Sequence, residues 1–166
     1  MNIVLHEPEI PANTGNIGRS CVAVGAKLHL IGPLGFHLNE RNLRRAGLDY
    51  WQDLDVTVYD SLADFFEKNP GVEDEMFYAT TKAERTYADV SYPAGAWIMF
   101  GPESAGIPEE LLVAHRGHCI RIPMLPGRRS LNLANAAAIV LYEAERQRGF
   151  EGLEKRGELH RLSWDE

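Results

Sequence analysis

Three features of the sequence predict an α/β fold with a mostly parallel sheet and helices on both faces. Apolar runs of four or five residues recur from end to end, and segments of helical character separate them. Gly, Pro, Asn and Ser punctuate the boundaries. Three connections that follow apolar runs, 11–20, 101–106 and 123–132, are rich in Gly and polar side chains. In a parallel sheet, ligands bind beyond the carboxyl ends of the strands. If the three segments converge there, they form one pocket.

The elements follow in order. Asn2 to His6 (NIVLH) reads as a buried strand bounded by Pro8 and Pro11. Pro11 to Ser20 reads as a polar loop, with a helix starting near Asn16 and stopping at Gly25. Lys27 to Ile31 is a second strand, and Asn39 to Ala46 (NERNLRRA) a short basic helix stopped by Gly47. Asp55 to Tyr59 alternates as a strand does, and Ser61 caps a helix that ends before Pro70. Met76 to Ala79 and Ala96 to Phe100 are strands, the second the clearest buried run of the chain. Pro108 suits the first turn of a helix carrying Leu111 and Leu112, and Cys119 to Ile122 is the last strand.

The chain is organised around the stretch that follows, 122–149. Pro123 and Pro126 interrupt regular structure, and Arg128 and Arg129 come next. Ser130 and Asn132 are alternative N-caps of a helix crowded with Ala134, Ala136, Ala137 and Ala138 and ended by Gly149 as C′ residue. Free N–H groups at such a helix start, beside two arginines, suit an anion or a polar ligand. A core helix with a polar cap fits the same spacing. One domain over 1–150 and a charged tail over 151–166 account for the whole length.

Composition narrows the function. With 166 residues, 45% hydrophobic and 25% charged, this is one globular domain with a proper core. Charges interrupt every apolar run, so no membrane association is expected, and no basic region followed by an apolar stretch opens the chain as a secretory signal would. Cys21 and Cys119 suit a reducing compartment, which points to the cytoplasm. The six histidines are scattered, so no metal is expected. A net charge of −7 speaks against indiscriminate nucleic-acid binding. Arginines still gather at 41, 44 and 45 and at 121, 128 and 129, which is compatible with a structured RNA. Neither GxGxxG nor GxxxxGK[ST] occurs, and Gly101-Pro-Glu-Ser-Ala-Gly106 lacks the GxSxG spacing of a nucleophile elbow.

Taken together, Asn13-Thr-Gly-Asn-Ile-Gly-Arg19-Ser, Phe100-Gly-Pro-Glu-Ser-Ala-Gly-Ile-Pro108, and Ile122-Pro-Met with Ser130-Leu-Asn-Leu-Ala-Asn resemble the three motifs of the SPOUT RNA methyltransferases. The resemblance spans essentially the whole chain. The opening NIVLHEPEIPANTGNIGR and the segment RRAGLDY (44–50) are similar to the tRNA 2′-O-methyltransferases that act on cytidine or uridine at position 34.

The resemblance implies a C-terminal trefoil knot, S-adenosyl-L-methionine as methyl donor, a homodimer, and tRNA as substrate through its anticodon loop. It implies donor binding at Ala79, Gly101, Ile122 and Ser130, with Met124 and Leu131 nearby. Gly101 would let backbone approach the ligand, and Ile122 and Leu131 could flank an adenine. Arg19 matches the catalytic arginine and Asn13 its polar partner, while Glu103, Ser130 and Asn132 match the polar residues of the second and third motifs. For Asn13, Ser130 and Asn132, capping and turn formation are an equally good account. Candidates for RNA contact are Arg41, Arg44, Arg45, Lys82, Arg85, Arg128 and Arg129. The competing readings are a ribose methyltransferase of the same family acting on another tRNA or rRNA position, a knotted domain that holds donor or RNA without turnover, and a small-molecule nucleotide-binding α/β enzyme, against which the missing fingerprints speak.

Overall fold

The computed structural model describes residues 1–37 and 49–164. Seven strands, all parallel, form one sheet: β1 (Asn2–His6), β2 (Lys27–Ile31), β3 (Val56–Tyr59), β4 (Phe77–Ala79), β5 (Arg85–Thr86), β6 (Trp97–Phe100) and β7 (Cys119–Arg121). Their spatial order is β3-β2-β1-β6-β4-β7-β5. The helices among the described residues are α1 (Pro11–Val24), α2 (Leu62–Lys68), α3 (Val72–Glu75), α4 (Glu109–Ala114) and α5 (Leu133–Gln147), with 3₁₀ turns at Asp49–Asp53 and Arg116–His118.

Both faces of the sheet are covered, as predicted. Strand residues alternate between them, so β1 sends Ile3 and Leu5 to one side and Val4 to the other. The first side meets α1 and α5 through Ile17, Cys21, Ala137, Val140 and Leu141. The second meets α2 and α4 through Phe65 and Leu112, with Tyr59, Tyr78 and Met99 between them. Burial on both faces is why the central strands read as unbroken apolar runs. The alanines of α5 have the same cause: Ala137 and Ala144 are at most 1% exposed where α5 packs against α1.

Several boundaries differ from the sequence reading. The segment 11–20 is the larger part of α1 rather than a loop, because Pro11 at the first helical position needs no N–H donor. Gly18 lies inside that helix because a Cβ there would stand 3.0 Å from Leu54 Cδ2. Asn132, not Ser130, caps α5, and Pro108 is the N-cap of α4 rather than part of its first turn. Ser61 caps α2 as expected, and Gly149 follows the C-cap with φ +69°. The two-residue β5 and the four-residue α3 were too short to show a period. The expected basic helix over 39–46 lies outside the described residues. Beyond Gly149, residues 151–164 form neither helix nor strand.

Candidate active site

The carboxyl ends of β4, β6 and β7 and the starts of α1 and α5 surround a cavity of about 470 Å³. That is ligand-sized. Its wall includes all six residues expected at a methyl donor: Ala79, Gly101, Ile122, Met124, Ser130 and Leu131. It also includes Asn13, Glu103, Asn132, Lys82 and Arg129. The three polar segments picked out in the sequence therefore do converge.

A polar frame holds the cavity open on the α1 side. Glu103 accepts from the backbone N–H groups of Glu9 (2.9 Å) and Ile10 (3.3 Å) and from Asn13 Nδ2 (2.9 Å). Ile10, the N-cap of α1, makes no side-chain cap of its own, so a carboxylate from the β6 loop sits at that helix start instead. Glu9 answers across the same gap, accepting from Ser104 N–H (2.8 Å) and Ser104 Oγ (2.6 Å). Asn13, only 6% exposed, accepts at Oδ1 from Asn132 Nδ2 at 3.0 Å. Asn132 Oδ1 in turn accepts from Ala134 N–H (2.9 Å) and Asn135 N–H (3.3 Å) at the start of α5.

This frame corrects one expectation and adds to another. The start of α5 is not a row of free donors, because Asn132 occupies two of them and its carbonyl accepts from Ala136 N–H. Gly101, which lines the cavity, has a second reason to be glycine inside its own loop. A Cβ there would lie 2.2 Å from Gly106 C and 2.3 Å from Ile107 N, so the 101–107 loop folds back onto its own start.

Ser130, by contrast, is exposed, lines the cavity, and makes no side-chain hydrogen bond among the described residues. With Phe100, Ile120, Ile122 and Leu131 it lines the same cavity, so apolar side chains, hydroxyls and loop backbone face one space. That chemistry fits a ligand with a flat aromatic base and polar ends, as in S-adenosylmethionine.

Arg19 stands apart. It is exposed on α1, lies outside the cavity wall, and its Cζ sits 5.6 Å from the centre of the Tyr50 ring. It lies six positions beyond Asn13, roughly 9 Å along the helix axis. Lys82 lines the cavity but pairs with Glu109 at 2.6 Å, and that ammonium holds the Glu109 carboxyl below its usual range. Arg129 lines the cavity and is exposed, and Arg128 is exposed beside it. Arg85 is turned to its own chain, donating to Gly117 O (2.9 Å) and Asp89 O (3.4 Å). Arg41, Arg44 and Arg45 lie outside the described residues. No sequence pattern singled out Tyr87, which lines the cavity after β5, or the Glu9–Ser104 contact, whose partners are 95 positions apart.

No helix among the described residues is long and apolar enough to cross a membrane, and no group of three or more potential metal ligands occurs among them.

Comparison with known proteins bears on the same segments. The profile of the SpoU rRNA methylase family matches residues 1–142. A tRNA (cytidine(34)-2′-O)-methyltransferase of Escherichia coli strain K12 is 48% identical over 154 residues, 92% of this chain and 96% of that one. A solved structure described as giving insights into the 2-OH methylation of C/U34 on tRNA superposes with a TM-score of 0.83 at 43% identity, covering 90% of this chain and 97% of that one. The SpoU methyltransferase AviRb of Streptomyces viridochromogenes, in complex with the cofactor AdoMet, superposes with a TM-score of 0.75 at 25% identity, covering 89% of this chain and 57% of that one.

Proposed function

The chain belongs to the SpoU rRNA methylase family, and on that premise we propose that it transfers a methyl group from S-adenosylmethionine to the ribose 2′-hydroxyl of nucleotide 34, cytidine or uridine, in tRNA. One observation carries the reading. The family match over 1–142 takes in every residue that lines the cavity, from Ile10 to Val140.

The donor belongs in the cavity beside Ile122, Leu131 and Ser130, with Ala79, Gly101 and Met124 around it. When bound, S-adenosylmethionine supplies a methyl group on a positively charged sulfur, which departs readily as a neutral thioether. The remaining difficulty is the ribose hydroxyl, a weak nucleophile that must lose its proton as the new O–CH3 bond forms. A guanidinium with a pKa above about 12 is a poor base. Arg19 therefore serves by binding the adjacent phosphate and stabilising the developing alkoxide, while that phosphate or a water takes the proton. Asn13, Glu103 and Asn132 act as positioning residues: their polar atoms tie the Arg19 helix, the β6 loop and the start of α5 into one frame. Much of the rate then comes from alignment.

Three further features belong to the same proposal. The chain works as a homodimer in the cytoplasm; the exposed Ile139 (37%) and Tyr142 (44%) on the outer side of α5 support a second copy there. The C-terminal third passes through the trefoil crossing, and residues 1–150 form one domain with 151–166 as its tail. Arg129 at the cavity wall, Arg128 beside it, and Arg41, Arg44 and Arg45 before Tyr50 meet the anticodon stem and loop, while Lys82, paired with Glu109, borders that path.

The test incubates the protein with bulk tRNA and labelled donor, followed by nucleoside analysis. 2′-O-methylcytidine or 2′-O-methyluridine is expected, and it should vanish when position 34 alone carries a 2′-deoxyribose. Labelling that persists on that RNA moves the target to another nucleotide. Donor binding without any transfer would favour a knotted binding domain. Light scattering that shows an active monomer would remove the dimer.

A further inference from the structure

We propose that Tyr50 is the positioning residue of Arg19, an inference that rests on the role given to Arg19 above. Its ring lies against the guanidinium, with Arg19 Cζ 5.6 Å from the ring centre. Its phenol hydroxyl donates to Gly15 O at 2.6 Å. In a helix, that same carbonyl accepts from the N–H four residues on, which is Arg19's own. A carbonyl has two lone pairs and can serve both donors. Tyr50 thus grips the Gly15–Arg19 turn at both ends, its carbonyl and its charged tip.

The grip matters because little else restrains the arm. Among the described residues, Arg19 makes no ion pair and no side-chain hydrogen bond. An exposed arginine samples many rotamers, and holding one geometry must be accomplished before the reaction if it is not to add to the barrier. A guanidinium held over an aromatic face by cation–π attraction loses some of that freedom in advance and keeps its N–H fork for phosphate and alkoxide.

The turn that carries Tyr50 is anchored independently. Trp51 and Leu54 pack into the α1–α5 side of the core, and a Cβ on Gly18 would stand 3.0 Å from Leu54 and 3.4 Å from Trp51. Removing the Tyr50 ring should therefore leave the turn docked on α1. What it removes is the surface under Arg19.

The experiment measures kcat at saturating tRNA and donor, with tRNA KM, donor affinity and Tm alongside. Tyr50→Phe keeps the ring and should lower kcat at most about threefold; Tyr50→Leu should lower it about tenfold or more, with donor affinity and Tm close to wild type. Phenylalanine, 4-fluoro-, 3,5-difluoro- and pentafluorophenylalanine incorporated at position 50 form a second series of nearly constant size. There kcat should fall stepwise as fluorine drains the ring face, a trend that packing alone does not produce. Arg19→Ala is measured beside them. An inactive Arg19→Ala with Tyr50→Leu near wild-type kcat overturns the inference alone, as does a flat fluorine series if Tyr50→Leu fails to fold. A fully active Arg19→Ala overturns the role of Arg19 and this inference with it.

Discussion

Asn132 Nδ2 donates to Asn13 Oδ1 at 3.0 Å, joining the starts of two helices that are 119 positions apart in sequence. The same Asn132 side chain caps α5 with its oxygen while its nitrogen holds Asn13, and Asn13 in turn holds Glu103. One amide therefore fixes a helix start and one end of the polar frame around the cavity.

Asn132→Ala should remove both functions. Loss of the cap costs about 1 kcal/mol, and orphaning the buried Asn13 oxygen adds on the order of 1 kcal/mol. Asn132→Ser retains a capping oxygen but cannot reach Asn13 as an amide does, so it should recover roughly the cap's share. Urea unfolding curves of the three proteins check the order wild type, Ser, Ala; a Ser variant as unstable as Ala would contradict it.

Gly101 tests the loop rather than the ligand contact. Even an alanine Cβ would overlap the backbone of Gly106 and Ile107, so the 101–107 segment must move. Gly101→Ala should cost about 1–3 kcal/mol, as overpacking does. It should also weaken donor binding, because Pro102, Glu103 and Ser104 line the cavity. Calorimetry with the donor and thermal melts should show both losses together. Weakened binding in a variant of unchanged Tm would restore the simpler view that Gly101 makes room for the ligand.

The contrast between these two residues shows what the sequence made legible. Strand positions and the pocket-forming segments were readable because parallel strands are apolar and their following loops are polar. Asn132 as a cap was readable from residue type, although Ser130 competed for it. Its bond to Asn13 was not, because no local period links positions 119 apart. The self-crossing that demands Gly101 is likewise a tertiary fact, since the sequence announces only a glycine. Pro11 misled in the other direction: it stops a helix from continuing but starts one equally well. Tyr50 could have been noticed as an aromatic beside a basic segment, yet nothing in the sequence pairs it with Arg19.

His29 should make stability fall with acid. It is 5% exposed, stacked on Tyr59 and tilted against Trp97, with Nδ1 3.0 Å from the Tyr59 hydroxyl and Nε2 3.2 Å from Asn2 Oδ1. A neutral ring that donates from Nε2 and accepts at Nδ1 satisfies both partners. Burial pushes its pKa down from 6.5 to about 4, with Asp55 opposing and Lys27 assisting. The folded state therefore resists a proton that the unfolded chain accepts. The stabilisation is complete above the unfolded value of 6.5 and is lost as pH falls from there towards about 4. The limiting slope for one proton is about 1.4 kcal/mol per pH unit. Urea unfolding at pH 7, 6 and 5 should show this decline, and His29→Phe should flatten it. An equally steep decline in that variant would assign the acid sensitivity elsewhere.

The cationic residues at the cavity should separate by their present partners. Arg128 and Arg129 are both exposed, and Arg129 reaches the cavity wall. Lys82 already spends its charge on Glu109 at 2.6 Å, and removing it would free a carboxylate beside the RNA path. Each phosphate contact to a single strand adds about 0.7 to the slope of log affinity against log salt. Arg128→Ala with Arg129→Ala should therefore weaken tRNA binding and flatten that slope by up to about 1.4, while donor binding persists. Lys82→Ala alone should weaken binding mainly through the unmasked Glu109, and Lys82→Ala with Glu109→Gln should recover most of the loss. Filter binding of tRNA across a salt series distinguishes these cases. A double arginine variant with an unchanged slope would take both arginines off the phosphates. Failure of Glu109→Gln to rescue Lys82→Ala would instead make Lys82 a phosphate contact in its own right.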